Sequence, residues 1–178
     1  MVDYEYILFD LDGTLIDSKP GIVECIRYAL DHESVSYTNE ILDKMIGPPF
    51  RVSMHDFLGQ DEKSIEKLIE LYRGEYEKYG WKHCEVFCGV KEMLHELKAA
   101  GKRLAVATSK PIKFTNMIVK GFDLEKYFDV VDIDGAHICG IDVCAVLYGY
   151  GDREEFEKHD AEYIVKTPSD VVSLVLKR

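Results

Sequence analysis

Apolar and polar residues follow two different patterns along the chain. After one short apolar run at residues 5–10, residues 16–82 repeat apolar positions at helical spacing, and from residue 83 short apolar runs alternate with amphipathic segments. Short apolar runs bounded by turn residues predict buried strands, and the amphipathic segments predict helices. Strands that alternate with helices are typical of a doubly wound parallel sheet, which binds ligands at the carboxyl ends of its strands. We therefore expect an α/β fold with an all-helical insert.

These elements divide the chain into two predicted domains. Residues 1–15 and 83–178 form the α/β domain, and residues 16–82 form the helical insert. In the insert, where Thr38 is a candidate N-cap, we predict helices at residues 20–32, 38–45, 50–58 and 61–79. In the α/β domain we predict strands at residues 5–10, 103–107, 128–131, 143–147 and 163–165. The helices predicted there are residues 90–100, residues 111–120, and two that begin at residues 152 and 169.

Composition and charge narrow the class of protein. The 178 residues are 47% hydrophobic and 31% charged, as in ordinary globular proteins, and the formal net charge is −11. Nucleic acids and anionic membranes bind basic surfaces, so neither is an expected partner. No apolar run is long enough to span a membrane or to direct secretion, and the five cysteines form no CxxC pair. We expect a cytoplasmic protein with free thiols, and the sequence does not indicate its oligomeric state.

Two carboxylates stand at the end of the first predicted strand. Side chains at positions i and i+2 of an extended segment point to the same side, so Asp10 and Asp12 are expected to project into one small volume. Two close carboxylates raise the cost of ionising each other unless a cation lies between them, and Mg²⁺ is an oxygen-preferring ion that suits such a pair. The alternative is an Asp-Gly turn in which both carboxylates cap the next helix.

A second polar cluster follows the strand predicted at residues 103–107. Thr108 and Ser109 supply hydroxyl groups, Lys110 supplies a positive charge, and a helix predicted to begin at Pro111 offers backbone N–H groups to an anion. Taken alone, this cluster is better explained as an ordinary loop with a surface lysine. The carboxyl ends of neighbouring parallel strands meet at one edge of a sheet, however, and this edge also carries the two aspartates. Together the two clusters predict a phosphate site.

The run Asp10-Leu11-Asp12-Gly13-Thr14 resembles the first motif of the haloacid dehalogenase superfamily, the aspartate-nucleophile phosphotransferases. The resemblance implies a Rossmann-like core whose active site is covered by a helical cap. It also implies that Asp10 is the nucleophile that forms an aspartyl-phosphate, and that Asp12 is the general acid and base. Thr108 resembles the hydroxyl residue of the second motif.

The resemblance extends over most of the chain. The runs Ile46-Gly47-Pro48-Pro49 and Val146-Leu147-Tyr148-Gly149-Tyr150-Gly151 are similar to the phosphoglycolate-phosphatase-like branch of the superfamily, and within it to members described as 5′-nucleotidase-like. In the insert, Arg51 is a candidate contact for an anionic substrate, since a guanidinium group suits phosphate and carboxylate. A solvated arginine at the start of a helix is an equal alternative.

The chain departs from the family pattern after Val131. Family members carry a third-motif lysine and a fourth-motif Gly-Asp whose aspartate binds Mg²⁺, and neither is found where it is expected. The following residues, Asp132 to His137, resemble what comes after the Gly-Asp of the fourth motif, so a βα unit and a strand, on the order of thirty residues or more, are missing. Three explanations stay open: a longer natural chain, which we favour, a true deletion with weak or no activity, or substitution of the lost groups. Asp132 or Asp134 would then replace the metal ligand, and Lys110 the lysine.

We predict a Mg²⁺-dependent phosphomonoester hydrolase that acts on a small phosphorylated metabolite. The metal ligands are expected to be Asp10, Asp12 and Asp132, and the phosphate-binding residues Thr108, Ser109 and Lys110. One alternative is a catalytically impaired protein that binds a phosphate ligand, and another is a phosphomutase. A dehalogenase is less favoured because that branch normally lacks the second aspartate. Sugar or glycolate phosphates, nucleoside monophosphates and pyrophosphate all remain candidate substrates.

Overall fold

The computed structural model describes residues 4–48, 50–131, 142–158 and 161–177. The chain folds into two compact units, an α/β unit of residues 1–17 and 85–178 and a helical unit of residues 18–84. The chain passes between the two units after residue 17 and after residue 84. These positions are two residues beyond the domain boundaries predicted after residues 15 and 82. The difference arises because Ile16–Asp17 and Glu85–Val86 pair as a short antiparallel ribbon, and this ribbon belongs to the α/β unit.

Strands and helices alternate through the α/β unit. The described strands are β1 (Tyr6–Phe9), β2 (Ile16–Asp17), β3 (Glu85–Val86), β4 (Arg103–Val106), β5 (Val130–Val131), β6 (Cys144–Val146) and β7 (Tyr163–Val165). The described helices are α1 (Lys19–His32), α2 (Asn39–Lys44), α3 (Phe50–Leu58), α4 (Glu62–Lys78), α5 (Val90–Ala99), α6 (Ile112–Gly121), α7 (Arg153–Lys158) and α8 (Pro168–Leu176). Helices α1 to α4 form the helical unit.

Parallel pairing organises the sheet. Strands β1, β4 and β5 pair in that order, with Phe9 opposite Val106, and β6 and β7 form a separate parallel pair. Parallel strands joined through helices confirm the α/β class predicted from the sequence. The Ala107 N–H donates to the Phe9 carbonyl at 2.8 Å, which places the carboxyl ends of β1 and β4 side by side.

The core of the α/β unit lies around β4. Leu104, Ala105 and Val106 are buried in this strand, which has a parallel neighbour on each side. Helices α5 and α6 each present an apolar stripe, as helices packed on a parallel sheet do. The buried residues of these two stripes are Val90, Met93, Leu94, Leu97, Phe114, Thr115, Ile118 and Val119.

The helical unit has its own core. Its buried cluster consists of Ile26, Ala29, Leu30, Leu42, Met45, Met54, Ile65 and Leu68. Thr38 is the N-cap of α2, as predicted, because its hydroxyl accepts the Ile41 N–H at 3.3 Å. Asp61 is the N-cap of α4, where its carboxylate accepts the Ser64 N–H at 2.8 Å. Each cap satisfies a backbone donor that the first helical turn would otherwise leave unpaired.

Two predicted elements begin at different residues in the structure. The strand predicted at residues 128–131 forms β5 only at Val130–Val131. Before it, the Asp129 carboxylate accepts the Leu104 N–H at 3.0 Å and the Lys98 ammonium at 2.7 Å. The last helix begins at Pro168 rather than Ser169, because a Thr167–Asp170 capping box fixes its start. None of the helices in the described ranges is long and apolar enough to cross a membrane.

Candidate active site

The candidate site lies at the carboxyl ends of β1 and β4. Asp10 is the first residue beyond β1, and Thr108 is the second residue beyond β4. The register of the two strands brings these residues together, and the Thr108 hydroxyl donates a hydrogen bond to the Asp10 carboxylate. The structure therefore unites the two polar clusters that the sequence placed at one sheet edge.

A tight turn carries the chain from Asp10 past Asp12. The Leu15 and Ile16 N–H groups both donate to the Leu11 carbonyl, at 3.0 and 3.1 Å. Gly13 has φ +78°, a left-handed conformation that favours glycine, and a Cβ atom here would lie 2.7 Å from the Tyr150 ring. The turn is therefore fixed by backbone bonds and by close packing, and it holds Asp12 on the side of β4.

Lys110 forms an ion pair with Asp12. Its Nζ atom lies 3.1 and 3.0 Å from the two carboxylate oxygens, and its side chain is only 6% exposed, against 26% for Asp12. A lysine side chain is rarely buried to this degree without a partner. The loop is held as well, because the Lys110 N–H donates to the Thr108 hydroxyl and the Lys110 carbonyl accepts from Thr115, both at 3.3 Å. Ser109 lies exposed between them.

The surroundings of Asp10 oppose its ionisation. Protein atoms displace much of the water around the carboxylate and raise its pKa, and the nearby charge of Asp12 adds to this rise. The Leu11 N–H, the Thr108 hydroxyl and the Lys110 ammonium lower the pKa again, in that order of size. Asp10 as a whole residue remains exposed to solvent. A partly desolvated carboxylate that remains accessible is suited to attack an electrophile.

Helix α6 begins beside these groups. Pro111 precedes its first residue, and no side chain caps its N-terminus. The N-terminus of a helix attracts anions through its unsatisfied N–H groups and its dipole. With the hydroxyl of Thr108 and the charge of Lys110, the start of α6 forms a surface that can bind a phosphoryl group next to Asp10.

Asp10 and Asp12 are the metal-ligand candidates at this site. Within the described ranges, no cluster of three or more Asp, Glu, His or Cys side chains is arranged to hold a metal. Asp132, the predicted third ligand, and Asp134 lie outside the described residues. The donors present are hard oxygens of the kind that Mg²⁺ prefers, so they fit one side of such a site.

Arg51 belongs to the helical unit. Its guanidinium forms ion pairs with Glu62 and Glu66 of α4. An anion at Arg51 would compete with these two carboxylates. The contact with substrate therefore stays a prediction.

Sequence reasoning missed the close packing at Gly149 and Tyr150. A Cβ atom on Gly149 would lie 1.8 Å from the Gly13 carbonyl oxygen, and the Tyr150 hydroxyl donates to Asp17 at 3.0 Å. The run of two glycines around Tyr150 was the available signal, since glycine within or just after a strand marks a close approach of backbones.

Comparison with known proteins agrees with this site. Residues 7–138 match the family described as haloacid dehalogenase-like hydrolase. The chain is 31% identical over 208 aligned positions to the tyrosine-protein kinase PtkA of Mycobacterium tuberculosis, which covers 95% of this chain and 68% of that protein. It is 34% identical to a 5′-nucleotidase of Pseudomonas aeruginosa, over 74% of this chain and 62% of the relative. It is 35% identical to a phosphoglycolate phosphatase of Vibrio parahaemolyticus, over 75% and 61%.

Solved structures lead to the same family. The crystal structure of a predicted phosphatase from Clostridium acetobutylicum superposes with a TM-score of 0.90 at 29% identity, over 99% of this chain and 100% of the other. The branch predicted from the sequence is confirmed by the relatives named phosphoglycolate phosphatase and 5′-nucleotidase. Because the match covers most of the residues and includes both aspartates, the chain belongs to the haloacid dehalogenase-like hydrolase family.

Proposed function

We propose that this protein is a Mg²⁺-dependent phosphomonoester hydrolase that works through an aspartyl-phosphate on Asp10. The observation that carries the proposal is the convergence of four groups at one sheet edge. Asp10 accepts a hydrogen bond from Thr108, and Lys110 holds Asp12 beside them. A nucleophile, a candidate proton donor and a cationic anchor are thus present in one place.

In the first step, an Asp10 carboxylate oxygen attacks phosphorus in line with the leaving group. The new Asp10 O–P bond forms as the bond from phosphorus to the leaving oxygen breaks, and Asp12 gives that oxygen a proton. Thr108, Lys110 and the N-terminus of α6 bind the phosphoryl oxygens, which stabilises the charge that they carry in the transition state.

In the second step, Asp12 takes a proton from a water molecule that attacks phosphorus. The Asp10 O–P bond breaks and inorganic phosphate leaves, so the enzyme returns to its starting state. The Lys110 ammonium lies within hydrogen-bond distance of both Asp12 oxygens and holds the side chain in place, as a carboxylic acid in the first step and as a carboxylate in the second. A carboxylate that acts in turn as acid and base needs this fixed position.

A Mg²⁺ ion would be held by the Asp10 carboxylate and the Asp12 backbone carbonyl. When bound, it neutralises negative charge on the phosphoryl group and on Asp10. The proposed substrate is a small phosphorylated metabolite of the phosphoglycolate or nucleoside monophosphate class. The relatives with those names support this class.

A second candidate is transfer of a phosphoryl group to a tyrosine. The relative named tyrosine-protein kinase PtkA supports it, because that match covers 95% of this chain at 31% identity. Both reactions need an activated oxygen nucleophile and a site that binds the phosphoryl group. Incubation with ATP and a tyrosine peptide separates them, since a kinase yields phosphotyrosine and ADP, whereas hydrolysis of ATP yields inorganic phosphate and ADP without phosphotyrosine.

Turnover of p-nitrophenyl phosphate with and without Mg²⁺ tests the main proposal. Asp10→Asn should lower kcat on the order of 10⁴-fold or more, as removal of a nucleophile does. Asp123→Asn is the matched control, because Asp123 is exposed, pairs only locally with Lys126 in the described contacts, and is expected to leave turnover unchanged.

Two results would contradict the proposal. The first is turnover that Asp10→Asn retains in a pure sample. The second is a pure wild-type protein whose melting temperature rises with Mg²⁺ and phosphate but which releases no phosphate, and this result would favour the catalytically impaired alternative.

A further inference from the structure

Tyr150 contacts the turn that carries Asp12 at two points. A Cβ atom placed on Gly13 would lie 2.7 Å from Cδ2 of the Tyr150 ring, and the Tyr150 hydroxyl donates to the Asp17 carboxylate at 3.0 Å. Gly13 directly follows Asp12, and Asp17 is the last residue of β2. All four residues belong to the α/β unit. No step of the proposed reaction uses Tyr150, so these contacts need a separate explanation.

The turn between β1 and β2 is closed by backbone bonds on both sides of Asp12. We call residues 11–16 the Asp12 turn. The Ile16 N–H donates to the Leu11 carbonyl at 3.1 Å, and the Gly13 N–H donates to the Ile16 carbonyl at 2.9 Å. Ile16 is therefore bonded to the residue before Asp12 and to the residue after it. A shift of either neighbour would move the Asp12 backbone as well.

Tyr150 joins the two arms of the Asp12 turn from outside. Its ring lies against Gly13, which is next to Asp12 on the first arm. Its hydroxyl binds Asp17, which is next to Ile16 on the second arm. A side chain that makes both contacts needs a long, flat body and a polar end, and tyrosine has both. The backbone bonds of the turn are thus supplemented by one side chain that holds its arms together.

The backbone of Tyr150 is itself held by a glycine on each side. A Cβ atom on Gly149 would lie 1.8 Å from the Gly13 carbonyl oxygen, and one on Gly151 would lie 2.4 Å from Cζ of the Phe156 ring in α7. Neither position has room for a larger residue, and glycine is the residue that permits such a close approach. The Tyr150 ring therefore reaches the Asp12 turn from a fixed backbone.

Burial does not explain why a tyrosine stands at this position. Tyr150 is 39% exposed, whereas Tyr76, a tyrosine of the helical core, is fully buried. A side chain as exposed as Tyr150 fills little of a core, so its bulk alone is not what the fold requires. The contacts with Gly13 and Asp17 distinguish it from an ordinary surface tyrosine.

Asp12 is consequently restrained from two directions. Lys110, which follows β4, holds the carboxylate with its Nζ atom at 3.1 and 3.0 Å from the two oxygens. Tyr150, which follows β6, contacts the turn that carries the Asp12 backbone. The two restraints act on different atoms of one residue. Precise placement matters for an acid and base, because a displacement of about 1 Å can cost on the order of 10²-fold in rate.

We propose that Tyr150 is a positioning residue for Asp12, which it holds in place through Gly13 and Asp17. Tyr150 transfers no proton itself, and it fixes where the Asp12 carboxylic acid stands relative to the leaving oxygen. Its effect on catalysis rests on the proposed function, whereas its restraint on the turn does not. Because Asp12 supplies the proton, the loss of Tyr150 should slow the reaction most when the leaving group needs one.

Hydrogen exchange tests the restraint without any measurement of turnover. The N–H groups of Gly13, Leu15 and Ile16 are bonded within the Asp12 turn. In Tyr150→Leu, which removes both contacts, these amides should exchange at least about tenfold faster, because the turn opens more often. Tyr150→Phe keeps the ring and should have a smaller effect. Tyr28→Leu, at a tyrosine of the helical unit that is 42% exposed, is the matched control and should leave the three amides unchanged.

Kinetics test the link to Asp12. The parameter is kcat/KM, which covers the reaction up to the release of the leaving group. Tyr150→Leu should lower it at least about tenfold for an alkyl phosphate, and by a smaller factor for p-nitrophenyl phosphate, whose leaving group needs no proton. In an Asp12→Asn background, Tyr150→Leu should cause no further loss, because the group that it positions is absent. Tyr150→Phe should retain most of the wild-type value.

Three results would overturn the proposal. Unchanged exchange of the three amides in Tyr150→Leu would mean that the tyrosine does not restrain the turn. Equal losses for the two substrates, or a full further loss in the Asp12→Asn background, would mean that Tyr150 does not act through Asp12. The melting temperature of each variant confirms that it is folded. A wild-type protein that releases no phosphate would overturn the proposed function instead, and hydrogen exchange would still confirm or refute the restraint.

Discussion

The helical unit and the α/β unit obtain their order in different ways. The core of the helical unit comes from helices that follow one another directly along the chain, and side-chain caps fix the starts of α2 and α4. The α/β unit depends on contacts between distant residues, of which the Asp12–Lys110 ion pair spans 98 positions. Its described strands also form three separate sheets. The candidate catalytic residues therefore lie in the unit that depends most on contacts between residues far apart in the sequence.

The largest effect is expected at the proposed acid and base. Asp12→Asn removes the group that protonates the leaving oxygen, so we expect kcat to fall about 10²–10⁴-fold. Measured with a substrate whose leaving group needs no proton, such as p-nitrophenyl phosphate, the first step should suffer less than with an alkyl phosphate. An equal loss for both substrates would contradict the acid role of Asp12.

The next effect is confined to the helical unit. Leu68 is fully buried in its core, so Leu68→Ala should lower the free energy of unfolding by about 2–5 kcal/mol through lost burial and the cavity that remains. Val52→Ala, at a position 47% exposed, should change it by less than about 1 kcal/mol. Urea denaturation measures both values. Similar losses for the two variants would mean that the described core does not hold this unit together.

A smaller loss of stability is expected at the site itself. Lys110→Met leaves the Asp12 carboxylate without its cation, and we expect a loss of about 1.5–3 kcal/mol, the range for hydrogen bonds to charged groups. Lys126→Met breaks an exposed pair with Asp123 and should leave the free energy of unfolding nearly unchanged, because solvent screens that pair. If Lys110→Met is the more stable of the two variants, the buried ion pair does not stabilise the site.

The smallest effect is a shift in pH dependence. Asp10 must be ionised to attack phosphorus, and its surroundings raise its pKa above the ordinary 3.8, so activity should increase with pH through this raised pKa. Thr108→Val removes a donor that lowers the pKa, and the acidic limb of the kcat/KM profile should therefore move to higher pH. Ser36→Ala, at an exposed position of the helical unit, is the control and should leave the limb in place. A limb that moves to lower pH in Thr108→Val would contradict the assignment.

The sequence predicted the helical unit closely because its signals are local. The helix predicted at residues 50–58 is α3, the candidate cap Thr38 marked the start of α2, and apolar spacing predicted the helix at residues 61–79 that is α4. The α/β class also followed from alternating runs, and the strand predicted at residues 163–165 is β7. Periodicity and capping depend on neighbours a few residues apart, which a single sequence displays directly.

The features that sequence reasoning missed depend on distant contacts. The β2–β3 ribbon pairs two segments of two residues each, too short to show any periodicity. The close approach of Gly13 to Gly149 and the bond from Tyr4 to Asp142 join residues more than a hundred positions apart. At the site, the motif predicted that Asp10 and Thr108 lie together, but the burial of Lys110 against Asp12 required the folded chain.

The central claim is that Asp10 carries the phosphoryl group during turnover, and chemical trapping tests it most directly. Borohydride reduces an acyl phosphate to an alcohol, so enzyme quenched during turnover and reduced should contain homoserine at position 10 when its peptides are sequenced by mass spectrometry. The account predicts homoserine there in the wild-type protein and none in Asp10→Asn. Steady turnover with an unmodified Asp10, or with homoserine at another aspartate, would contradict it.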